Sequence, residues 1–217
     1  MLAQIVLFDG FDPLDVIAPF EVLSAGSDSV GGRLEVRLVG IDATGPVTSG
    51  TGGLGLEATH VLAPTEPGYV IVPGASGPVA GDPDVVDTIP VLLARVGETS
   101  LPGKIELAFA APDTVVATVC GGSLALAMAG LLDGRHAVTH HMGNDVLDAT
   151  GVHVVDARVV DDGDLVSAGG VTSGLDLGLH LLDRQFGPQV AHAVEQLFQY
   201  ERRGTVWRPV GHVPLPA

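Results

Sequence analysis

Residues 114–132 constrain this chain more than any other stretch. TVVATV, six residues rich in β-branched side chains, reads as a buried strand. It runs into Cys120-Gly121-Gly122-Ser123 and then into an Ala/Leu/Met helix over 124–132, which Gly134 is placed to end. A strand that passes through two glycines straight into a helix is a tight strand-to-helix elbow, the connection from which α/β sheets are built. This elbow also holds the only cysteine of the chain.

The rest of the sequence repeats the alternation. Short apolar runs predict strands at 4–8, 35–40, 69–73, 136–140, 152–156, 158–160 and 165–168. Helical spacing predicts helices at 15–25, 84–96, 144–150, 174–186 and 188–203, with Pro19 marking a start or a bend in the first of them. Residues 42–68, rich in Gly, Thr and Pro, read as loops with short strands. Pro102-Gly103 reads as a turn, and 105–111 fits a strand as well as a helix. The alternation predicts a mostly parallel sheet with helices on both faces, in one domain over residues 1–217 with an extended tail at 204–217.

Composition narrows the partners. With 10 basic against 26 acidic residues the formal charge is −16, which repels a phosphate backbone and argues against nucleic acid. A single cysteine excludes an internal disulfide and a multi-cysteine metal cluster. The first residues lack the positive region of a signal peptide, and no apolar run reaches membrane-spanning length; the expected setting is the cytoplasm, away from membranes. The histidines are scattered and the glycine-rich stretches fit no nucleotide fingerprint, so no metal or cofactor is expected.

Sites in open α/β sheets form at the carboxyl ends of strands. Three glycine-rich ends stand out, after Val72, Val119 and Ala168, and the middle one carries Cys120. A following helix directs its first N–H groups and positive dipole end at the sulfur, an arrangement that lowers a thiol pKa from about 8.5 to between about 3.5 and 7.5. The competing reading is an inert buried cysteine serving as a small hydrophobe. Gly74-Ala75 offers backbone donors for a developing charge, or an ordinary turn. Asp12, Asp15 and Glu21 are all acids in reach after the first strand; spacing does not choose among them, and Asp15 or Asp12 could simply cap a helix. His140, at a predicted strand end, is the histidine best placed to pair with the thiol.

These motifs resemble the ThiJ/PfpI superfamily, related to the class I glutamine amidotransferases. The likeness rests on FDPLDVIAPFE at 11–21, VPGA at 72–75, TVCGGSL at 118–124, AGLLDGR at 129–135, AVTH at 137–140 and SAGGVTSGLD at 167–176, and so covers nearly the whole chain. It implies a flavodoxin-like fold, a homodimer and a small-molecule substrate. Within the superfamily the chain is most similar to enzymes that hydrate isonitriles, carbon–nitrogen lyases of the hydro-lyase type. That similarity implies Cys120 as nucleophile, Asp15 as acid, backbone donors at Gly74, Ala75 and Gly121, and His140 as an accessory group. Gly121 stands where those hydratases are expected to carry threonine, which removes a hydroxyl from the pocket. The alternatives implied are a glyoxalase or deglycase acting on α-oxoaldehydes, and a non-catalytic ligand or redox sensor.

Overall fold

The computed structural model describes residues 1–82 and 85–213. The chain runs β1 (Leu2–Leu7), α1 (Pro13–Ser29), β2 (Glu35–Gly40), β3 (Gly45–Thr48), β4 (Gly55–Ala58), β5 (His60–Val61) and β6 (Gly68–Val72). It continues through α2 (Ile89–Gly97), α3 (Leu101–Ala110), β7 (Thr114–Val119), α4 (Gly122–Met128), β8 (His136–Ala137), α5 (Asn144–Asp148), β9 (His153–Val154), β10 (Val159–Asp161) and β11 (Leu165–Ala168), ending with α6 (Ser173–Phe186) and α7 (Pro188–Phe198).

Seven strands form one sheet in the order β10-β11-β7-β6-β1-β2-β5. Every neighbouring pair in it is parallel except β10 with β11. The inner order β2-β1-β6-β7-β11 is the 2-1-3-4-5 arrangement of flavodoxin-like folds, with β5 and β10 added at the margins. β1 and β6 are buried along their full length, as strands covered on both faces must be. Helices α1, α6 and α7 pack on one another over one face; α2 and α4, with α3 and α5 beside them, cover the other. The α1–α6 contact is close because Gly178 lacks a side chain: a Cβ there would lie 2.8 Å from Val22 Cγ1.

Several predicted boundaries move. The predicted helix at 84–96 begins at Ile89; Asp84 itself lies outside the described residues. The ambiguous stretch is helix α3. Pro102 sits in its first turn, where an N–H would have no intrahelical partner anyway, so Pro-Gly opens a helix instead of making a turn. α7 stops at Phe198 instead of Arg203 because Gln199 adopts a left-handed conformation at φ 50°, with Tyr200 N–H donating back to Glu195 O. The elbow helix ends at Met128, short of Leu132. The strand predicted at 136–140 is only two residues long. Beyond Ala137 the ladder gives way to hydroxyls: Val138 N–H donates to Ser167 Oγ and Val138 O accepts from Ser123 Oγ. The tail is not helical from 204 to 213, and Trp207 bridges in parallel to Val160 of β10; the tail's last four residues lie outside the described ones. Among the described residues no helix is long and apolar enough to cross a membrane.

Candidate active site

The sheet places a crevice where two connections diverge. The chain leaves β1 for β2 on one side and leaves β6 for β7 on the other, so the carboxyl ends of β1 and β6 face an uncovered gap. Asp12 and Asp15 enter it from the turn after β1, Gly74 and Ala75 from the turn after β6, and Cys120 from the end of β7.

Cys120 is buried at 7% exposure and sits at φ 53°, a left-handed conformation that L side chains rarely adopt. Such strain, about 1–3 kcal/mol, persists only where the surroundings hold it. Here the Cys120 N–H is shared between the carbonyls of Ala168 and Gly169, each at 2.9 Å. Its own carbonyl accepts from Thr139 Oγ1 at 2.8 Å. The three glycine-rich strand ends singled out in the sequence meet at the elbow, the one after Ala168 on Cys120 and the one after Val72 on Gly121 and Gly122. Gly122 lets the elbow close, since a Cβ on it would lie 2.2 Å from Val72 O.

The acids separate cleanly. Asp12 is the helix cap, its Oδ1 accepting from Leu14 N–H at 2.9 Å. Glu21 is exposed on α1. Asp15 lies in the first turn of α1 and is fully buried, with Oδ2 accepting from Gly74 N–H at 2.9 Å. Its Oδ1 has no hydrogen-bond partner among the described residues. Pro19, four residues on, has no N–H to offer the Asp15 carbonyl. Burial, reinforced by the nearby Asp12 carboxylate, raises the Asp15 pKa to about 8, against the opposing pull of Gly74 N–H and the Cys120 thiol. Asp15 is therefore mostly a neutral acid at pH 7.

The expected lowering of the thiol pKa is overturned. Burial first, and then the Asp15 carboxylate, push Cys120 far above the ordinary thiol range; only the Gly121 N–H, near the sulfur, works the other way. The helix after the elbow is seven residues long and does not outweigh these effects. The resting pair at neutral pH is a thiol beside a carboxylic acid.

The backbone donors divide by task. Gly74 N–H is taken by Asp15, and Gly74 O accepts from Asp12 N–H, so this peptide is clamped between the two acids. Ala75 bridges to Phe11 through bonds made by its neighbours, Ser76 N–H to Gly10 O and Asp12 N–H to Gly74 O, which leaves its own N–H outside that bridge. At Gly121, a Cβ would lie 3.0 Å from Leu93 Cδ1, a tight contact for which the leucine methyl would have to give way by a few tenths of an ångström. His140 is not hydrogen-bonded to the thiol among the described residues. Its Nδ1 accepts from Met142 N–H at the start of a 3₁₀ turn, and burial with the neighbouring His141 lowers its pKa. Thr139, which the sequence reading passed over, contacts the elbow directly. No cluster of three or more His, Cys, Asp or Glu side chains is placed to hold a metal among the described residues.

The profile of the DJ-1/PfpI family matches residues 94–184, a span that contains the elbow. The isonitrile hydratase of Pseudomonas putida is 35% identical over 198 residues, covering 90% of this chain and 76% of that one. Two solved structures share the fold at lower identity. A ThiJ/PfpI family protein from Pseudomonas syringae superposes with a TM-score of 0.75 at 23% identity, over 94% of this chain and 76% of that chain. Drosophila melanogaster DJ-1beta does so with 0.75 at 18%, over 92% and 98%. Given that identity across nearly the whole length, and the same sheet, the chain belongs to the DJ-1/PfpI (ThiJ) family.

Proposed function

We propose that this protein hydrates isonitriles, adding water to R–N≡C to give an N-substituted formamide. The observation that carries the reading is Asp15, fully buried beside the Cys120 thiol, where desolvation raises its pKa to about 8. An isonitrile carbon is a weak base and becomes electrophilic only as it takes a proton. A neutral acid next to an unionised thiol suits that chemistry, and the 35% identity to a hydratase supports it.

In the first step Asp15 gives its proton to the isonitrile carbon as Cys120 Sγ attacks it, and the thiol proton passes to the Asp15 carboxylate. The S–H bond is thus added across the carbon, giving the thioimidate S–CH=N–R. In the second step water attacks that carbon. Asp15 shuttles the water's protons to the nitrogen and the departing sulfur, and formamide and thiol are released. Two moderate barriers replace one high one. Ala75 N–H and Gly121 N–H are the donors for charge developing on substrate nitrogen and on sulfur, while Gly74 holds the acid in place. The glyoxalase alternative calls for a histidine at the sulfur, and His140 makes no bond to it.

The test is the conversion of cyclohexyl isocyanide to N-cyclohexylformamide by wild type, Cys120→Ala and Asp15→Asn. Wild type should turn over, Cys120→Ala should fall to background, and Asp15→Asn should lose about 10²–10⁴-fold, the usual worth of one acid/base group. Because the acid must be protonated, kcat/KM should hold steady at neutral pH and decline above about pH 8. Absence of formamide from wild type would refute the reading; a rate that rises through pH 8 would remove Asp15 as the acid.

The same reading carries a cytoplasmic homodimer. Leu14, 44% exposed directly beside Asp15, is an apolar surface near the site that a second subunit would cover. Light scattering should return twice 22.1 kDa; a monomer at assay concentration would rule the dimer out.

A further inference from the structure

Cys120 and Gly121 share one peptide unit, and both of its ends are in use. On one side its carbonyl accepts from Thr139 Oγ1 at 2.8 Å. On the other its N–H, that of Gly121, lies near enough to the Cys120 sulfur to favour its charged form. A peptide is a rigid plane, so whatever fixes the carbonyl fixes the direction of the N–H. We propose that Thr139 is the positioning residue of the nucleophile: its hydroxyl sets the rotation of the 120–121 peptide and thereby aims Gly121 N–H at the sulfur. This deepens the hydratase reading, but it rests on the elbow's geometry and concerns thiol reactivity whatever the substrate.

Three further observations single Thr139 out. Ser123 Oγ is the other hydroxyl near the Cys120 carbonyl, at 3.4 Å, but its one proton is committed to Val138 O at 2.6 Å. Thr139 is 2% exposed, so water has no access to replace its bond. Its backbone is held from two sides, since the neighbouring Val138 donates to Ser167 Oγ of β11 and accepts from Ser123 Oγ of the elbow. The hydroxyl is thus presented to the Cys120 carbonyl by a backbone tied to both β11 and the elbow helix. A hydrogen bond to the carbonyl also polarises the peptide and makes its N–H a stronger donor. Developing negative charge on sulfur gains from both effects.

The experiment is the rate of Cys120 alkylation by iodoacetamide, followed by intact mass from pH 7 to pH 10, in wild type, Thr139→Val and Thr139→Ser. Thr139→Val keeps the shape and loses the donor. It should alkylate about ten-fold more slowly at any given pH, with its profile displaced to higher pH, while Thr139→Ser should stay within two-fold of wild type. A residue that merely stabilised the fold would give the opposite sign, because loosening a buried site exposes the thiol and speeds alkylation. Unchanged or faster alkylation in Thr139→Val would overturn the proposal. Should Thr139→Val fail to fold, Thr139→Ala, which adds no bulk, is read by the same criterion. The alkylation assay contains no isonitrile, so its failure is distinct from failure of the formamide assay. With cyclohexyl isocyanide, Thr139→Val should lower kcat about ten-fold and leave KM within two-fold.

Discussion

Asp15→Asn should make the protein harder to unfold while removing most of its turnover. An aspartate whose folded pKa is raised from 3.8 to about 8 holds a proton in the native state that the unfolded chain releases across that interval. Where the native state binds more protons than the unfolded one, stability falls as pH rises, by about 1.4 kcal/mol for each pH unit. The penalty is absent below about pH 4, grows from pH 4 to pH 8, and is complete above that, amounting to about 6 kcal/mol at most. Asparagine has the same shape, keeps an oxygen for Gly74 N–H, and never ionises. Denaturant midpoints for Asp15→Asn and wild type should therefore coincide near pH 4 and separate progressively toward pH 9, with the variant the more stable. Midpoints that stayed parallel across that range would show that the buried carboxyl is not the ionisable group the geometry makes it.

Gly74→Ala should disable the site by one methyl group. The added Cβ would lie 2.6 Å from Gly121 N, 2.8 Å from Asp15 Oδ2 and 3.1 Å from Gly121 Cα. Two of those three neighbours are backbone atoms of the elbow, which cannot rotate away as a side chain would. Either the β6 turn or the elbow must move. Overpacking of this kind costs about 1–3 kcal/mol, a few degrees in a thermal melt of a chain this long. The functional loss should be larger. A displacement near 1 Å between nucleophile and acid costs about 10²-fold, so formamide production should fall at least that far in a variant that still folds. Gly74→Ala retaining wild-type turnover would mean that the crevice is more plastic than its packing.

The main strands of the sheet were legible in the sequence as short runs rich in apolar residues. β7 and β11, buried along almost their whole length, match the predicted bounds to the residue, and so does β2, of which only the last two residues are buried; the fully buried β1 and β6 are displaced by one or two residues. The elbow was legible as one such run joined to its two glycines. The choice of acid was not. Asp12 and Asp15 differ in role because the Gly74 N–H arrives from 59 residues away to meet one of them, and no local spacing encodes that meeting. Thr139 escaped notice on similar grounds: its partner is the carbonyl of a residue 19 positions earlier, and a threonine at a short strand's end carries no mark of such a contact. The thiol's electrostatics were misjudged because the short helix after the elbow was weighed without the desolvation and the carboxyl that outweigh it. Pro102-Gly103 misled in a different way, since proline suits a helix's first turn as well as it suits a bend.

The bridge from Trp207 to β10 also bears on how the molecule behaves in a crowded solution. An unpaired sheet margin is a template onto which a neighbouring chain can add a strand. At one margin β5 is only two residues long, too short to guide such growth. At the other, Trp207 N–H donates to Val159 O and Trp207 O accepts from Asp161 N–H, so the chain's own tail occupies the groups a neighbour would seek. Resistance to fibrous self-assembly is thus built into the sheet's two margins, separately from the chemistry at its carboxyl ends.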